Sequence, residues 1–383
     1  MTRAKILLAG GGTGGHVFPA VAVAEAMQQL ADVDVVFCGT RRGIEGRTIP
    51  GHGWELELLH VEPIKRVGVL RAIRAAFVAA RATTTALRVL RKVGPRAVMS
   101  VGGYAAGPVT LAAVILGVPV AVLEPNRVVG LTNRLIAPFA RRAYVAWDET
   151  GRQFPSGARR AFGVPLRSGF APRSYTSNGS ANILVLGGSQ GAAPLNERMP
   201  EAIAWLRCNR FPHVRVLHQA GRDRDEDVRA AYTRNEIDGV TVVPFLNDVA
   251  REMADADLIV ARAGAVTIAE LTAVGRAAIL VPLPHAADDH QGKNAEALSR
   301  RGAAVCLRQE VAGAERLASE MARLLSDHEA RTAMADAARL FGRPQAARHI
   351  AVDLLELAGV PLRSRPTEVG LLDPPAATVR GEL

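Results

Sequence analysis

Aromatic side chains are scarce: Phe, Trp and Tyr make up 4% of the 383 residues. A platform for single-stranded nucleic acid needs more of them, interleaved with basic residues, so nucleic acid is not an expected partner. Cysteine is scarcer still. Cys38, Cys208 and Cys306 lie far apart without paired ligand spacing, which argues against a zinc site and a disulfide framework and fits a reducing cytoplasm. Near the start, a brief apolar run gives way at once to glycines, too short for the hydrophobic region of a secretory signal. The apolar stretch 97–123 carries no charge and is long enough to span a bilayer. Gly102, Gly103, Gly107, Pro108, Gly117 and Pro119 interrupt it, so it reads as a strand over 97–101, a loop, a helix over 109–116 and a strand over 118–123.

Apolar residues nonetheless make up 49% of the chain. The core must therefore be built from Ala, Val, Leu and Ile, the mixture of parallel sheets wrapped in helices. The length suits two α/β domains of ordinary size. Lys and Arg outnumber Asp and Glu by 47 to 37, a formal charge of +10. The excess is uneven: eight basic residues and no acidic one fall between Lys65 and Lys92. Leu70, Ile73 and Phe77 recur there at helical spacing, with Arg74 and Arg81 beside the stripe and Lys65 and Arg66 leading in. That pattern fits a helix lying on an anionic membrane surface, or an ordinary solvated helix.

One supersecondary unit occurs twice. Residues 5–9 (KILLA) run into the glycine turn 10–15 (GGGTGG), and residues 182–186 (NILVL) run into 187–191 (GGSQG). Each reads as a buried strand, a glycine turn and a helix, the helices expected over 20–30 and 195–206. Apolar strands alternate with helical stretches after each, so the fold class is α/β, with two Rossmann-like parallel-sheet halves. A late helical run is expected over 315–357, and the proline-bearing tail from Gly359 on is expected to be disordered. Asp-x-Asp occurs at Asp32/Asp34 and Asp255/Asp257, each read as solvated turn residues just before a strand.

Gly10-x-Gly12-x-x-Gly15 satisfies the dinucleotide fingerprint. A NAD site also wants an acidic residue at the end of the second strand, and that strand ends in Cys38-Gly39-Thr40. Arg41 and Arg42 suit a 2′-phosphate, which leaves an NADP-dependent oxidoreductase open. Glycines admit a ligand to the backbone, and the following helix points unpaired N–H groups at it, which suits anions and sugar hydroxyls alike. His16 stands at the helix start, where the macrodipole opposes protonation, so it is a neutral base or a capping residue. In the second half, the turn of 262–270 (RAGAVTIAE) lets Thr267 and the neighbouring amides of Gly264, Ala265 and Val266 take a phosphate. Glu270, one turn on, can accept from two ribose hydroxyls or be a plain surface glutamate. Residues 285–294 (HAADDHQGKN) are dense in hydrogen-bonding groups beyond a strand's carboxyl end, where open α/β sheets bind ligands. Gln291 and Asn294 suit sugar hydroxyls. Asp288, Asp289 and His290 are contiguous and lack the same-face spacing of metal ligands, so no metal is expected.

In order, GGGTGGHVFPA (10–20), VGGYAAGP (101–108), GLTNR (130–134), GGSQGA (187–192), RAGAVTIAE (262–270) and ADDHQGKNA (287–295) resemble the MurG family, up to about residue 355. The resemblance implies a GT-B fold, its two halves facing across a cleft: an acceptor domain over 1–164, a linker over 165–180 and a UDP-sugar domain over 181–340. A helix over 341–358 would return to the first domain, before the tail of 359–383. It also implies inverting transfer of N-acetylglucosamine from UDP-N-acetylglucosamine to undecaprenyl-diphosphate-linked MurNAc-pentapeptide, with no cofactor, at the cytoplasmic face of the bacterial membrane. Donor contacts fall on Thr13, Gly14, Gly15, Asn126, Arg167, Ser189, Leu246, Thr267, Glu270, His290, Gln291 and Asn294. Arg167 and Ser189 would lie near the diphosphate, Leu246 near uracil and Glu270 on ribose. His16 and Glu124 are the general-base candidates, His16 the favoured one. The family's His-Glu-Gln-Asn run stands here as Leu123-Glu124-Pro125-Asn126, and its Asn-Pro-x-Arg as Val164-Pro165-Leu166-Arg167. A related transferase acting on another glycolipid or a natural product is the alternative, ahead of a non-catalytic nucleotide-sugar-binding module.

Overall fold

The computed structural model describes residues 3–41, 43–59, 69–175, 181–188 and 190–363, with the backbone alone for 69–77 and 79. The described residues divide after Ser168 and after Pro344 into two compact units. Among them every strand pair is parallel.

The first unit is a sheet of β1 (Ala4–Gly10), β2 (Val33–Thr40), β3 (Glu55–Leu59), β4 (Ala97–Gly102), β5 (Val120–Glu124), β6 (Arg142–Val145) and β7 (Arg159–Arg160), in the order β3-β2-β1-β4-β5-β6-β7. Its connections are α1 (Gly14–Leu30), α2 (Glu45–Gly51), α3 (Val69–Val93), α4 (Ala106–Ile115), α5 (Leu131–Ile136) and α6 (Asp148–Gly151). Side chains alternate along a strand, and here both sets are covered. Ile6 and Leu8 pack with Val17, Val21 and Met27 of α1, whereas Leu7 and Ala9 pack with Ala86 and Leu90 of α3 and Val109 of α4. Coverage of both faces is why these strands read as continuous apolar runs. The uncharged stretch 97–123 becomes β4, α4 and most of β5, and no helix among the described residues is long and apolar enough to cross a membrane.

The second unit is a sheet of β8 (Asn182–Leu186), β9 (Arg215–Gln219), β10 (Val240–Val243), β11 (Leu258–Ala261), β12 (Ala278–Leu280) and β13 (Val305–Cys306), in the order β10-β9-β8-β11-β12-β13. Around it run α7 (Ala193–Asn209), α8 (Asp225–Arg234), α9 (Val249–Asp255), α10 (Ala265–Val274), α11 (His290–Ser299), α12 (Ala314–Ser326) and α13 (His328–Arg339). Both sheets reverse their strand order at one place, between β1 and β4 and between β8 and β11, and such a switch point opens a crevice at the strands' carboxyl ends. One expectation fails in this unit. Asp257 is not a solvated turn residue: it is buried, and its carboxylate accepts from the Tyr175 hydroxyl (2.8 Å) and the Asn182 N–H (2.8 Å).

The last helix, α14 (Ala346–Leu357), packs on α1, and Ile350, Ala351, Leu354 and Leu355 enter the first unit's core. Residues 359–363 are ordered against that core, contrary to the disorder expected from Gly359 on. Val360 is buried there and the Arg363 N–H donates to the Leu30 carbonyl (2.8 Å), which ties the chain down. The tail's remaining residues, 364–383, lie outside the described residues. A polar node fixes α14: the Asp353 carboxylate accepts from Arg142 Nε (2.8 Å), the Tyr144 hydroxyl (2.9 Å) and Arg160 Nε (3.2 Å). Burial beside this carboxylate pushes the Tyr144 phenol well up. Removing one partner of such a node strands the others. Asp353→Ala is therefore expected to lower the stability of the first unit by about 3 kcal/mol, the lower end for a broken buried pair because the arginines keep some water. Denaturant unfolding checks this, and a loss below about 1 kcal/mol rejects the node as an anchor.

Candidate active site

The loop from β1 to α1 is shaped by close approach. A Cβ on Gly10 would stand 2.3 Å from the Gly102 carbonyl oxygen, and one on Gly103 would stand 2.5 Å from the Gly11 carbonyl oxygen. Gly10, Gly12, Gly102 and Gly103 also take positive φ, so only glycine serves there at little cost. The loops leaving β1 and β4 thus touch backbone to backbone at the switch point. α1 starts at Gly14, not Ala20, because Thr13 caps it and its carbonyl accepts from His16 N (3.1 Å) and Val17 N (3.2 Å). Thr13 and Gly15 are exposed, Gly14 and His16 half-buried. His16 Nδ1 lies 3.2 Å from the Thr13 hydroxyl, and its ring sits over Gly102, where a Cβ would be 3.1 Å from Nε2. Arg167 reaches the same helix and stacks its guanidinium 4.9 Å from the Phe18 ring centre.

Glu45, at the head of α2, is the feature sequence reading missed. Its carboxylate is buried and accepts from Gly12 N (2.8 Å), Thr40 N (2.8 Å) and the Thr40 hydroxyl (2.9 Å). A pyrophosphate held by a dinucleotide fingerprint approaches the second glycine of the loop. Here an internal carboxylate holds that amide. The NADP alternative loses its phosphate donor with it.

Glu124, at the end of β5, has its carboxyl oxygens engaged from all sides. It accepts from Asn126 N (3.1 Å) and Nδ2 (3.3 Å), Gly130 N (2.9 Å) and Asn133 Nδ2 (3.0 Å). Asn133 in turn accepts from the Ser100 hydroxyl (2.9 Å). Burial pushes the Glu124 carboxyl up, and these donors pull it back. The carboxylate shapes the turn of 125–130, and the half-buried Asn126 rides on it.

In the second unit, α10 starts at Ala265 after Gly264, so Gly264, Ala265, Val266 and Thr267 form the first turn at the carboxyl end of β11, each half-buried. Glu270 is 8% exposed, which removes the plain surface reading. Arg262 ties this turn to the next strand's loop, donating to the carbonyls of Val281 (3.0 Å) and Pro282 (3.2 Å) and to Gln309 Oε1 (2.8 Å). Gln291 Oε1 accepts from Leu283 N (3.0 Å), which leaves its amide nitrogen to donate. His290 Nδ1 lies 2.8 Å from the Ala287 carbonyl and must donate to it. Asn294 is fully buried. Asp288 and Asp289 both take positive φ (52° and 53°) where α11 begins. Arg308 pins that turn, with 2.9 Å bonds to both Asp289 oxygens and a further one to Glu296, and it holds the Asp289 carboxyl below its usual range. Leu246 is buried, whereas its neighbour Phe245 is exposed. Ser189 lies outside the described residues. The structure thus brings 13–16, 124–126 and 167 into the first unit, and 246, 264–270 and 290–294 into the second.

Two matches decide the family. The glycosyltransferase family 28 N-terminal domain matches residues 6–145, and the family's C-terminal domain matches residues 182–350. A protein of Sorangium cellulosum called UDP-N-acetylglucosamine--N-acetylmuramyl-(pentapeptide) pyrophosphoryl-undecaprenol N-acetylglucosamine transferase is 50% identical, over 93% of this chain and 89% of its own. One of the same name from Syntrophotalea carbinolica is 42% identical, over 90% of this chain and 97% of its own. A crystal structure of Acinetobacter baumannii MurG superposes with a TM-score of 0.76 at 33% identity, covering 92% of this chain and 99% of that one. The chain belongs to the MurG family of glycosyltransferases. Its departures from the MurG run fall on core positions: Leu123, Pro125 and Val164 are all buried, and Asn126 keeps its contacts to Glu124.

Beneath the second glycine turn of this MurG-family chain lies a buried histidine. The Asn196 amide nitrogen donates to the Ala220 carbonyl (2.9 Å), which turns its oxygen to His218 Nε2 (3.1 Å). Nε2 therefore carries the proton, and Nδ1 accepts from the Tyr232 hydroxyl (3.0 Å). The Ala220 carbonyl would meet a Cβ on Gly191 at 2.2 Å, so this network supports the turn itself. Burial lowers the His218 pKa from 6.5 to about 3. Between those values the unfolded chain binds a proton that the folded chain does not, so stability falls as pH falls. The expected slope from this group is at most about 1.4 kcal/mol per pH unit. In urea unfolding across that window, His218→Phe should flatten the pH slope. An unchanged slope would assign the acid sensitivity elsewhere.

Proposed function

We propose that this chain transfers N-acetylglucosamine from UDP-N-acetylglucosamine to the 4-hydroxyl of MurNAc in undecaprenyl-diphosphate-linked MurNAc-pentapeptide, as its relatives are named for doing. The observation that carries the reading is His16. It stands half-buried on the first turn of a helix, behind a glycine loop at a switch point, in a chain that aligns with those relatives over most of their length. The bond that forms joins the acceptor O4 to C1 of N-acetylglucosamine. The bond that breaks joins C1 to the diphosphate of UDP, which leaves from the opposite face, so the anomeric centre inverts. His16 Nε2 takes the O4 proton while Nδ1–H is held by the Thr13 hydroxyl. Glu124 already receives four N–H bonds, so it serves as scaffold and not as base.

In this reading the acceptor belongs to the first unit and the donor to the second. The N-terminal turn of α10, with Gly264, Ala265, Val266 and Thr267, meets the diphosphate with open amides and the positive end of the helix dipole. The MurG resemblance adds Ser189, which lies outside the described residues, to the phosphate contacts. Glu270 takes the ribose hydroxyls, and Leu246 with its exposed neighbour in sequence, Phe245, suits the flat uracil. Gln291, His290 and Asn294 recognise the sugar. The test is release of UDP with the lipid-linked acceptor present or omitted, coupled to product analysis. His16→Ala is expected to lower kcat on the order of 10²–10⁴-fold with little change in donor KM. A raised KM at constant kcat would make His16 a binding residue.

The acceptor's lipid places the reaction at a membrane, and the first unit supports peripheral docking there at the cytoplasmic face. Leu111 and Ile115 on α4, Leu131 and Leu135 on α5, and Phe139 beyond them are all exposed, and α4 packs against both α3 and α5. Neighbouring apolar side chains left in water mark a surface with a partner. The basic block supplies attraction to anionic lipid, although Lys65 and Arg66 and the side chains of Leu70, Ile73, Arg74 and Phe77 lie outside the described residues. Sedimentation with anionic vesicles should weaken by about 2 kcal/mol for each of Lys65→Glu, Arg66→Glu and Arg74→Glu, since each reversal changes the charge by two, an effect that high salt screens. Ile115→Ser with Leu135→Ser should weaken it at any salt. Binding that ignores both sets removes this surface from the reading.

A further inference from the structure

We propose that Glu45 is a positioning residue for transfer: its buried carboxylate clamps the glycine loop of the first unit and thereby holds Thr13 and His16 in place. The inference rests on the function proposed above. Glu45 touches no position where substrate is placed, and at 1% exposure it cannot exchange a proton with one directly. What it touches is the loop. One oxygen takes the Gly12 N–H, and the other takes the N–H and hydroxyl of Thr40.

The sequence is arranged around this carboxylate. A Cβ on Gly11 would lie 2.3 Å from its carboxyl carbon, one on Gly39 would lie 2.5 Å from its Cγ, and one on Gly43 would lie 2.0 Å from an oxygen. Gly39 and Gly43 have no positive φ to require glycine, so space for Glu45 is what they provide. Three glycines from two stretches of chain thus leave room for one side chain. A buried charge with three donors and no solvent is stable only while every donor stays. This makes the loop's geometry a matter of one position and not a range.

The chain from clamp to base is short. Gly12 precedes Thr13, whose carbonyl receives the first two N–H bonds of the helix start and whose hydroxyl lies on His16 Nδ1. Gly102 closes the other side of the His16 ring. If Gly12 shifts, the cap and the imidazole shift with it, and displacement of a reacting group by about 1 Å costs on the order of 10²-fold in rate.

Glu45→Gln is the informative variant, since it keeps shape and core packing. Its amide oxygen can retain both Thr40 donors, but its NH2 then faces the Gly12 N–H, donor against donor. The expected result is a kcat lower on the order of 10²-fold, a donor KM within about twofold of wild type, and faster hydrogen exchange at the Gly12 amide. Thr40→Val removes one donor to the other oxygen and leaves the Gly12 bond, so its kcat should stay within about tenfold of wild type and well above that of Glu45→Gln. Unchanged kcat in Glu45→Gln, or a raised donor KM with kcat intact, overturns the assignment. So does unchanged Gly12 exchange. Absence of transfer by the wild-type chain would overturn the proposed function itself, and it is told apart because exchange reads the clamp without turnover.

Discussion

The backbone contact between the loops leaving β1 and β4 sets the geometry on which the first unit's candidate site rests. Two parallel strands whose connections run to opposite faces of the sheet leave a gap at their carboxyl ends. Here glycines close it from both sides, Gly10 against Gly102 and Gly11 against Gly103. A side chain at Gly10 or Gly103 would force the loops apart and move α1, which starts three residues after Gly11. The position of His16 over Gly102 follows from that closure. The arrangement also explains why the motif at 101–108 matters as much as the one at 10–20, although neither contains the other's contacts in sequence.

The second unit fixes its site loops with charge. Arg262 joins the loop after β11 to that after β12, and Arg308 pins the two left-handed aspartates that open α11. Positive φ at consecutive non-glycine residues costs on the order of 1 kcal/mol or more each, and the bidentate Arg308–Asp289 pair is in place to offset it. Both partners are partly exposed, so the pair contributes orientation more than stability. What it orients is the start of the helix that carries His290, Gln291 and Asn294. Gly292 is small for the same reason, since a Cβ there would lie 2.2 Å from the Arg308 guanidinium.

Much of this was legible in the sequence, and the reason is periodicity. Strands covered on both faces must be apolar throughout, so KILLA and NILVL announce themselves, and the glycine turn after each identifies the repeat. What escaped is long-range. α1 was expected to start at Ala20 because Gly14, Gly15 and Pro19 look like loop, whereas the Thr13 cap and the packed glycines start it at Gly14. Asp257 looked solvated because its partners, Tyr175 and Asn182, are about 75 to 82 residues away. Glu45 gave no signal for the same reason, its decisive partner being 33 residues away at Gly12. Spacing along a chain reports faces of helices and strands, but it carries no information about which buried carboxylate meets which distant amide.

Those buried carboxylates share a logic that extends beyond any one of them. Glu45, Glu124, Asp257 and Asp353 are each at most 9% exposed, and each is matched by at least two hydrogen-bond donors. An apolar residue of equal size would be as good for stability, since desolvating a charge consumes most of what its partners return. Burial of charge is therefore not explained by stability alone. A carboxylate with several donors accepts only one arrangement of them, whereas an apolar contact tolerates sliding. In the first unit three of the four sit where sliding would matter: Glu45 under the glycine loop, Glu124 under the turn of Asn126, and Asp353 on the helix that backs α1. Specific geometry at the loops is thus held by polar contacts in an otherwise apolar interior, and the glycines around Glu45 mark how closely the chain was fitted to one of them.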